Sequence, residues 1–323
     1  MKIYNSVPED NSLMKYLKDI YNLHLDKISL YRDMIGSVYF LWEKDERYVY
    51  KLYRTIDTEA AIQSTQVISY LKKNNFPVVT IVPTKNDELY SNIEMPEGNR
   101  IGVLFEYVDG KEPTTEEDIY LIGELTGKMH KIMETYTEDL CKLRKSHYID
   151  RFIGIMQDMN FEVIKIDEMY NHGVELWNKI LDLPKGFCHG DLHTGNLLKT
   201  KKGEIIFLDF DICSNSYPIF DVATICDDTN FTAVNEKDIE KTYHNFKKFY
   251  NGYSKEKKLS NLEKSVIFDC IAIHHYELLG TISLYRAPLE GDHWLNDKFF
   301  DLHYTWKKQW KVKTKKYGNY TAF

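Results

Sequence analysis

The sequence predicts an α+β chain of two parts: a sheet-rich amino-terminal third carrying one helix, and a mostly helical remainder. Three observations carry this. From about Ile28 to Tyr53, β-branched and aromatic residues run in short stretches broken by Gly36 and by the charged cluster Glu43–Arg47, which is strand texture. Beyond Thr115, apolar residues recur at helical spacing over several long segments. A short strand-rich island, 186–211, interrupts those helices.

Leu13, Leu17, Ile20, Tyr21 and His24 follow the polar pair Asn11-Ser12 at helical spacing and predict a short amphipathic helix. Three strands follow, the last ending in Tyr-Val-Tyr-Lys51-Leu-Tyr. A helix is expected over about Thr58 to Lys72, stopped by Asn74-Asn75-Phe-Pro77. Two or three further strands lead to Val103–Val108. After Asp109-Gly110, Thr115 with Asp118 offers a cap for a long helix reaching Met133. Further helical patterns cover about 150–180, 236–251, 259–286 and 292–312. The expected division is 1–107 and 108–323.

Composition excludes several classes. With 323 residues, 43% hydrophobic and 28% charged, the chain has a globular core and no need of a disulfide or metal staple. A net charge of -7, with basic residues clustered only in Lys307–Lys316, argues against nucleic acid as a partner. The Met-Lys-Ile-Tyr-Asn start lacks a signal-peptide core, and no apolar run approaches the roughly 18 residues that cross a bilayer. Five scattered cysteines without a Cys-x-x-Cys pair fit a reducing compartment. The expectation is a soluble cytoplasmic protein, monomer or homodimer, with no membrane partner.

The chemistry sits in the island, CHGDLHTGNLLKTKKGEIIFLDFD over residues 188–211. Lys201-Lys202-Gly203 separates two short apolar runs and predicts a hairpin. Asn196 and Asp209 stand 13 positions apart with that turn midway, so an amide oxygen and a carboxylate are expected to face one small volume. Two hard oxygen ligands completed by water and phosphate are how proteins usually hold Mg2+. Asp191, five residues before Asn196 in a Gly-containing loop, is expected beside the same spot without ligating the ion.

An Asp-x4-Asn followed 13 residues later by an Asp closing a strand resembles the protein-kinase pattern H-R-D-x-x-x-x-N with D-F-G. Gly190 stands in place of the Arg, and Asp211 in place of the Gly. HGDLHTGN with DFD more closely resembles the aminoglycoside phosphotransferase and choline kinase group of small-molecule kinases, over about residues 20 to 310. The resemblance implies a protein-kinase-like two-lobed fold, with an antiparallel sheet plus helix in the N-lobe and a mostly helical C-lobe. It implies Asp191 as the base that orients the acceptor hydroxyl, Asn196 and Asp209 as metal ligands, and ATP (or GTP) with Mg2+ as cofactors. Lys51 matches the V-A-I-K position that contacts the α- and β-phosphates; otherwise it decorates a strand face. For its partner on the next helix, Glu59 and Gln63 fit equally. Gly36-Ser37 stands where kinases carry the longer glycine loop, which makes Ser37 a phosphate-side candidate. Phe105–Val108 resembles the interlobe hinge, with backbone groups of Glu106 and Val108 for the adenine edge. Asp221 resembles the aspartate that pins the catalytic loop, and it can equally be a helix N-cap.

The implied activity is transfer of the γ-phosphoryl of ATP or GTP to a hydroxyl of an aminoglycoside-, amino-alcohol- or sugar-like molecule. The alternatives are a catalytically weak kinase-like nucleotide-binding module and a protein Ser/Thr kinase. For the latter, nine residues between Asp211 and Asp221 are too few for an activation segment. A metallophosphatase ranks low, since Leu197 and not His follows Asn196. His189 and His193 read as loop-bonding imidazoles, and His274-His275 as packing or solvent residues, with acceptor-site lining the lesser alternative. Asp227-Asp228 and Glu290–Asp301 would suit a cationic acceptor, although a solvated acidic surface is the commoner meaning of such runs. Tyr285, Trp294, Phe299 and Trp306 fit an acceptor pocket or core.

Overall fold

Residues 6–317, without the side chains of 288–290, are described by a computed structural model; the Met1–Asn5 start read above lies outside them. The chain forms two compact units. The first runs to Glu112 and also takes in Gly195–Cys213; the second is Pro113–Thr194 together with the chain from Ser214 onward.

In the first unit, helix α1 (Asp10–Ile20) opens where the Glu9 side chain accepts the Ser12 N–H, and it buries Leu13 and Leu17. Strands β1 (Lys27–Asp33), β2 (Gly36–Glu43) and β3 (Glu46–Tyr53) form an antiparallel meander. Helix α2 (Thr58–Lys73) follows, then β4 (Ser91–Met95), β5 (Gly98–Glu106) and the short β6 (Gly110–Lys111). The sheet order is β1-β2-β3-β5-β4. One face packs on α1 through Tyr39, Leu41, Tyr50, Leu52 and Leu104. Fully burying such a leucine contributes about 2 kcal/mol. Gly102 in β5 is required because a Cβ there would lie 1.7 Å from the Tyr50 hydroxyl, which crosses to Ser91 Oγ at 3.0 Å.

The end of β3 is held by a buried arginine. Arg100 Nε donates to Tyr53 O at 2.6 Å and Nη2 to Leu52 O at 2.9 Å, with Glu97 3.3 Å from Nη1. A buried guanidinium with its donors engaged is a rigid clamp, and it fixes the strand that carries Lys51 and Tyr53.

Helix α3 (Glu116–Met133) starts with the expected capping box between Thr115 and Asp118. The predicted helix over 150–180 is two helices, α4 (Arg151–Asp158) and α5 (Val163–Ile180), because Asn160 takes a positive φ of 55° between them. Strand β7 (Gly186–Cys188) follows. The hairpin β8 (Leu197–Thr200) and β9 (Ile205–Phe207) then returns to the first unit. β8 pairs with β6, and β9 bonds the segment after α2 through Val79 N–H to Phe207 O (3.0 Å) and Phe207 N–H to Pro77 O (2.9 Å). These bonds draw 195–213, together with 108–112, into the first unit, which differs from a single boundary after 107.

The rest of the second unit comprises β10 (Ser214–Ser216), paired with β7, and helices α6 (Ile219–Cys226), α7 (Glu236–Tyr253), α8 (Asn261–Ser265), α9 (Ile267–Glu290) and α10 (Asp297–Thr314). Among the described residues no helix is long and apolar enough to cross a membrane.

Candidate active site

In the first unit, β2, β3, β5 and the returning hairpin enclose a cavity of about 390 Å³. Val38, Val49, Val79, Phe105, Leu198 and Leu208 make its walls apolar, the lining expected for a flat, largely apolar ring system. Along one edge, Glu106 N–H is used by Thr80 O (2.9 Å) and Tyr107 N–H by Arg47 O (3.1 Å). The Glu106 carbonyl and the Val108 amide lie outside those recorded ladder bonds, and both residues line the cavity.

The other end is charged. Lys51, Asn196, Asp209 and Asp211 line it. Lys51 Nζ donates to Asp209 Oδ1 at 2.9 Å and to Asp211 Oδ2, while the Tyr53 hydroxyl donates to Asp211 Oδ1 at 2.8 Å. Burial alone would favour a neutral lysine, but the two carboxylates outweigh it and hold the ammonium above its ordinary range. Burial and then Asp209 push the Asp211 pKa upward, with Lys51 and Tyr53 opposing. The hairpin register pairs Leu197 with Phe207, and Leu208 N–H bonds Asn196 O at 2.9 Å. Asp209 is therefore the first residue past the ladder, and it turns there with φ +58°. Aspartate tolerates this left-handed conformation better than most residues, and strained backbone is common at functional sites.

The oxygen set fits a divalent cation. Asn196 offers an amide oxygen and Asp209 a carboxylate. Among the described residues no cluster of three or more His, Cys, Asp or Glu side chains forms a closed metal cage. Two protein ligands with the remaining positions left to water and phosphate suit Mg2+ better than a transition metal.

The loop that carries Asp191 belongs to the second unit. Asp221 receives the N–H groups of His189 (2.7 Å) and Gly190 (2.9 Å), and His130 Nε2 lies 3.0 Å from its Oδ2. With the carboxylate as acceptor, Nε2 donates, and Nδ1 lies 2.9 Å from the Tyr253 hydroxyl. Gly190 has φ +88°. The Gly in place of the kinase Arg is thus a backbone requirement, because a Cβ is disfavoured there. Asp191 follows, its side chain 41% exposed, with His193 Nε2 3.7 Å from Oδ2. Burial pulls its pKa upward, but His193, His189 and His274 outweigh it and hold the carboxyl below the ordinary range.

Asp191 and His193 open onto a second cavity of about 310 Å³, wholly within the second unit, whose far wall includes Asp227, Phe231, His275 and Trp306. His275 stacks flat on Trp306, with centroids 3.7 Å apart and planes at 7°.

Several sequence expectations need correction. Glu59 is exposed and absent from the lining of the first cavity, and the carboxylates on Lys51 are those of Asp209 and Asp211. Gln63 instead donates to Cys213 O at 2.6 Å. The reason is reach: the hairpin brings two aspartates directly against β3, and Glu59 stays in the solvated first turn of α2. Ser37 is fully buried and does not line the cavity; its hydroxyl donates to Asp33 at 2.8 Å, and Arg100 Nη2 lies 3.4 Å away. Asp221 lies in the first turn of α6, whose N-cap is Pro218. Of the four aromatics suggested for an acceptor pocket, Trp306 lines the second cavity, joined there by His274 and His275. Tyr53 is an addition; Asp211 and Asp227, named above for their places in DFD and in the acidic pair Asp227-Asp228, line the first and second cavities.

Comparison with known proteins gives a consistent picture. A model of the phosphotransferase enzyme family matches residues 30–255. Bos taurus hydroxylysine kinase is 23% identical over 188 residues, 49% of this chain and 50% of the bovine protein. An uncharacterized Synechocystis protein is 21% identical over 210 residues, 58% of this chain and 56% of that one. The chain thus spans about half the length of these relatives. Among solved structures, a microcompartment-associated aminopropanol kinase has a TM-score of 0.75 at 17% identity, covering 96% of this chain and 99% of that one. Amicoumacin kinase hAmiN, in complex with AMP-PNP, Ca2+ and Ami, has a TM-score of 0.74 at 21% identity, covering 93% and 94%. At these identities the structural likeness is one of fold, the protein-kinase-like arrangement of antiparallel sheet and helical part.

Proposed function

Because the chain belongs to the phosphotransferase enzyme family, we propose that it moves the γ-phosphoryl group of ATP to a hydroxyl of a small molecule. The observation that carries this reading is the first cavity: an apolar slot with Lys51, Asn196 and Asp209 at one end and the Glu106–Val108 edge at the other. The base lies in the slot, where the Glu106 carbonyl accepts its exocyclic N–H and the Val108 amide donates to the neighbouring ring nitrogen. Adenine presents that donor-acceptor order. Guanine presents the reverse, so ATP is favoured over GTP.

Lys51 contacts the phosphates, leaving its present carboxylate partners for them. Asn196 and Asp209 hold a divalent cation, which neutralises charge on the transferring group. Asp191 aligns the acceptor hydroxyl. As a carboxylate held below its ordinary pKa it is a weak base, so its contribution is alignment and late acceptance of the proton. The bond from γ-phosphorus to the β-bridging oxygen breaks, and a bond from that phosphorus to the acceptor oxygen forms. The hydroxyl proton passes to Asp191, and ADP departs. The hydroxylated compound occupies the second cavity, on which Asp191 opens.

The test is a coupled nucleotide-consumption assay against hydroxylated amines, sugars and aminoglycosides, with the wild-type chain and Asp191→Asn. Turnover with at least one acceptor is expected, reduced about 10²- to 10⁴-fold in the variant with nucleotide binding retained. Equal turnover by the two proteins would remove Asp191 from the reaction. A flat response across the panel with ATP still bound would favour the binding-module reading.

A further inference from the structure

We propose that the groove between α5 and α10 binds a phosphate group, free or carried by a small molecule. Lys307 holds an ionised oxygen of that group, and His172 receives the proton of another. The groove shares no lining residue with either cavity described above, so the inference stands apart from the transfer reading.

The basic run Lys307–Lys316 begins on α10. There Lys307, Lys308 and Lys311 stand across a groove of about 500 Å³ from Glu168, His172 and Glu175 of α5. All six belong to the second unit. Glu168 lies 3.3 Å from Lys308, and Glu175 lies 2.6 Å from Lys311, so those four charges cancel in pairs.

Lys307 is left over. It is only 6% exposed; its Nζ donates to the backbone carbonyl of Glu168 at 3.1 Å and lies 5.1 Å from the Tyr304 ring. Neither partner carries a full negative charge. Burial lowers the Lys307 pKa to about 8, with Lys308 and Lys311 adding to it and Glu168 and Glu175 opposing, so the group is still mainly an ammonium at neutral pH. A buried charge without a counter-charge is costly, and an anion in the groove removes that cost.

His172 selects the kind of anion. Burial, followed by the Lys307 and Lys311 charges, keeps its imidazole neutral, so it carries a single N–H. The Tyr276 hydroxyl donates to the Met169 carbonyl at 2.9 Å, which leaves the phenol oxygen as acceptor for His172 Nδ1 at 3.1 Å. Nε2 is then an acceptor, and among the described residues no hydrogen bond reaches it. An acceptor beside an ammonium suits a ligand with one ionised oxygen and one protonated oxygen. Phosphate and its monoesters, with a second pKa of about 6, offer both near neutral pH. Sulfate and ionised carboxylates have no proton to give.

Calorimetry on the full chain at pH 6.5, with inorganic phosphate, glycerol 3-phosphate and sulfate, tests this. At least one of the two phosphates should bind, about 10-fold or more tightly than sulfate. Lys307→Met keeps the length of the side chain and removes its charge; it should weaken phosphate binding about 10- to 100-fold, the range of a charge-assisted bond. Circular dichroism and the melting point report that this variant folds. His172→Gln supplies an amide that donates as well as accepts, so it should narrow the gap between phosphate and sulfate. Binding of the inorganic ion alone supports a free-phosphate site, and binding of the ester supports a site for a phosphorylated small molecule. No binding of either phosphate, equal affinity for sulfate, or phosphate affinity unchanged in Lys307→Met would overturn the assignment.

Discussion

The Tyr53 hydroxyl donates to Asp211 Oδ1 at 2.8 Å, at the position where protein kinases carry the glycine of D-F-G. A strand residue and a hairpin-end residue are thereby joined, and the second Asp211 oxygen is left for Lys51. A glycine there would leave the buried phenol without this partner.

Removing the phenol hydroxyl isolates that bond. Tyr53→Phe leaves the ring in the cavity wall and takes away only the donor. Stability should fall by about 1 kcal/mol, somewhat more because the acceptor is a buried carboxylate, with nucleotide binding retained. Urea unfolding against nucleotide titration checks it. An unchanged urea midpoint would mean that the hydroxyl contributes nothing to holding Asp211.

The Asp191 loop should respond through Asp221. In Asp221→Ala, the N–H groups of His189 and Gly190 lose their acceptor, and His130 loses its partner. Each unsatisfied buried donor costs about 1–3 kcal/mol, so the variant should be several kcal/mol less stable. Where it still folds, for example at reduced temperature, kcat should drop sharply while the KM for nucleotide holds, because Asp221 positions the Asp191 loop and does not line the nucleotide cavity. A rise in nucleotide KM with unchanged kcat would contradict that role. Gly190→Ala acts on the same loop through φ +88°, with a strain of about 1–2 kcal/mol and the same kinetic signature.

A third expectation concerns acid. Burial, followed by the Lys307 and Lys311 charges, lowers the His172 pKa to about 3, against roughly 6.5 in the unfolded chain. Between those values the unfolded chain binds a proton that the folded chain refuses, so stability rises with pH. The contribution is complete above about pH 6.5 and falls by about 1.4 kcal/mol per pH unit as pH drops toward 3. His303, lowered by burial to about 4, adds a similar slope above its own value. Urea unfolding at pH 7 and pH 5 should differ by about 2 kcal/mol from His172 alone, and His172→Gln should remove that share. Parallel pH dependence in variant and wild type would rule it out.

Periodicity and turn chemistry are local, and they made the elements legible: the β1–β3 meander, the Thr115 capping box and the hairpin at Gly203 all lie where the residues place them. Asn196 and Asp209 were readable from the spacing of a motif, Lys51 from its place at a strand end, and Glu106 and Val108 from position alone; all five line one cavity. The partner of Lys51 was not readable. Glu59 was the only glutamate in the stretch that follows, but the carboxylates that reach the ammonium arrive from far along the chain through a hairpin. Ser37 failed for a similar reason, since the buried Arg100 and the nearby Asp33, not a ligand, account for its hydroxyl. Strand β10 escaped because Ser-Asn-Ser has no strand texture and exists by pairing with β7. Asp227 read more readily as solvated charge than as an acceptor contact, and the fold places it in a cavity wall.

The re-entry of Gly195–Cys213 into the first unit bears on how the protein is made. On the ribosome, the sheet can assemble early, but the floor of its cavity, with Asn196 and Asp209, emerges only after the intervening helices have been synthesised. The nascent sheet must wait with an uncovered apolar surface, a state prone to association. For the same reason, a fragment ending near residue 112 would lack two of its own strands, and chaperone dependence is to be expected during synthesis more than after it.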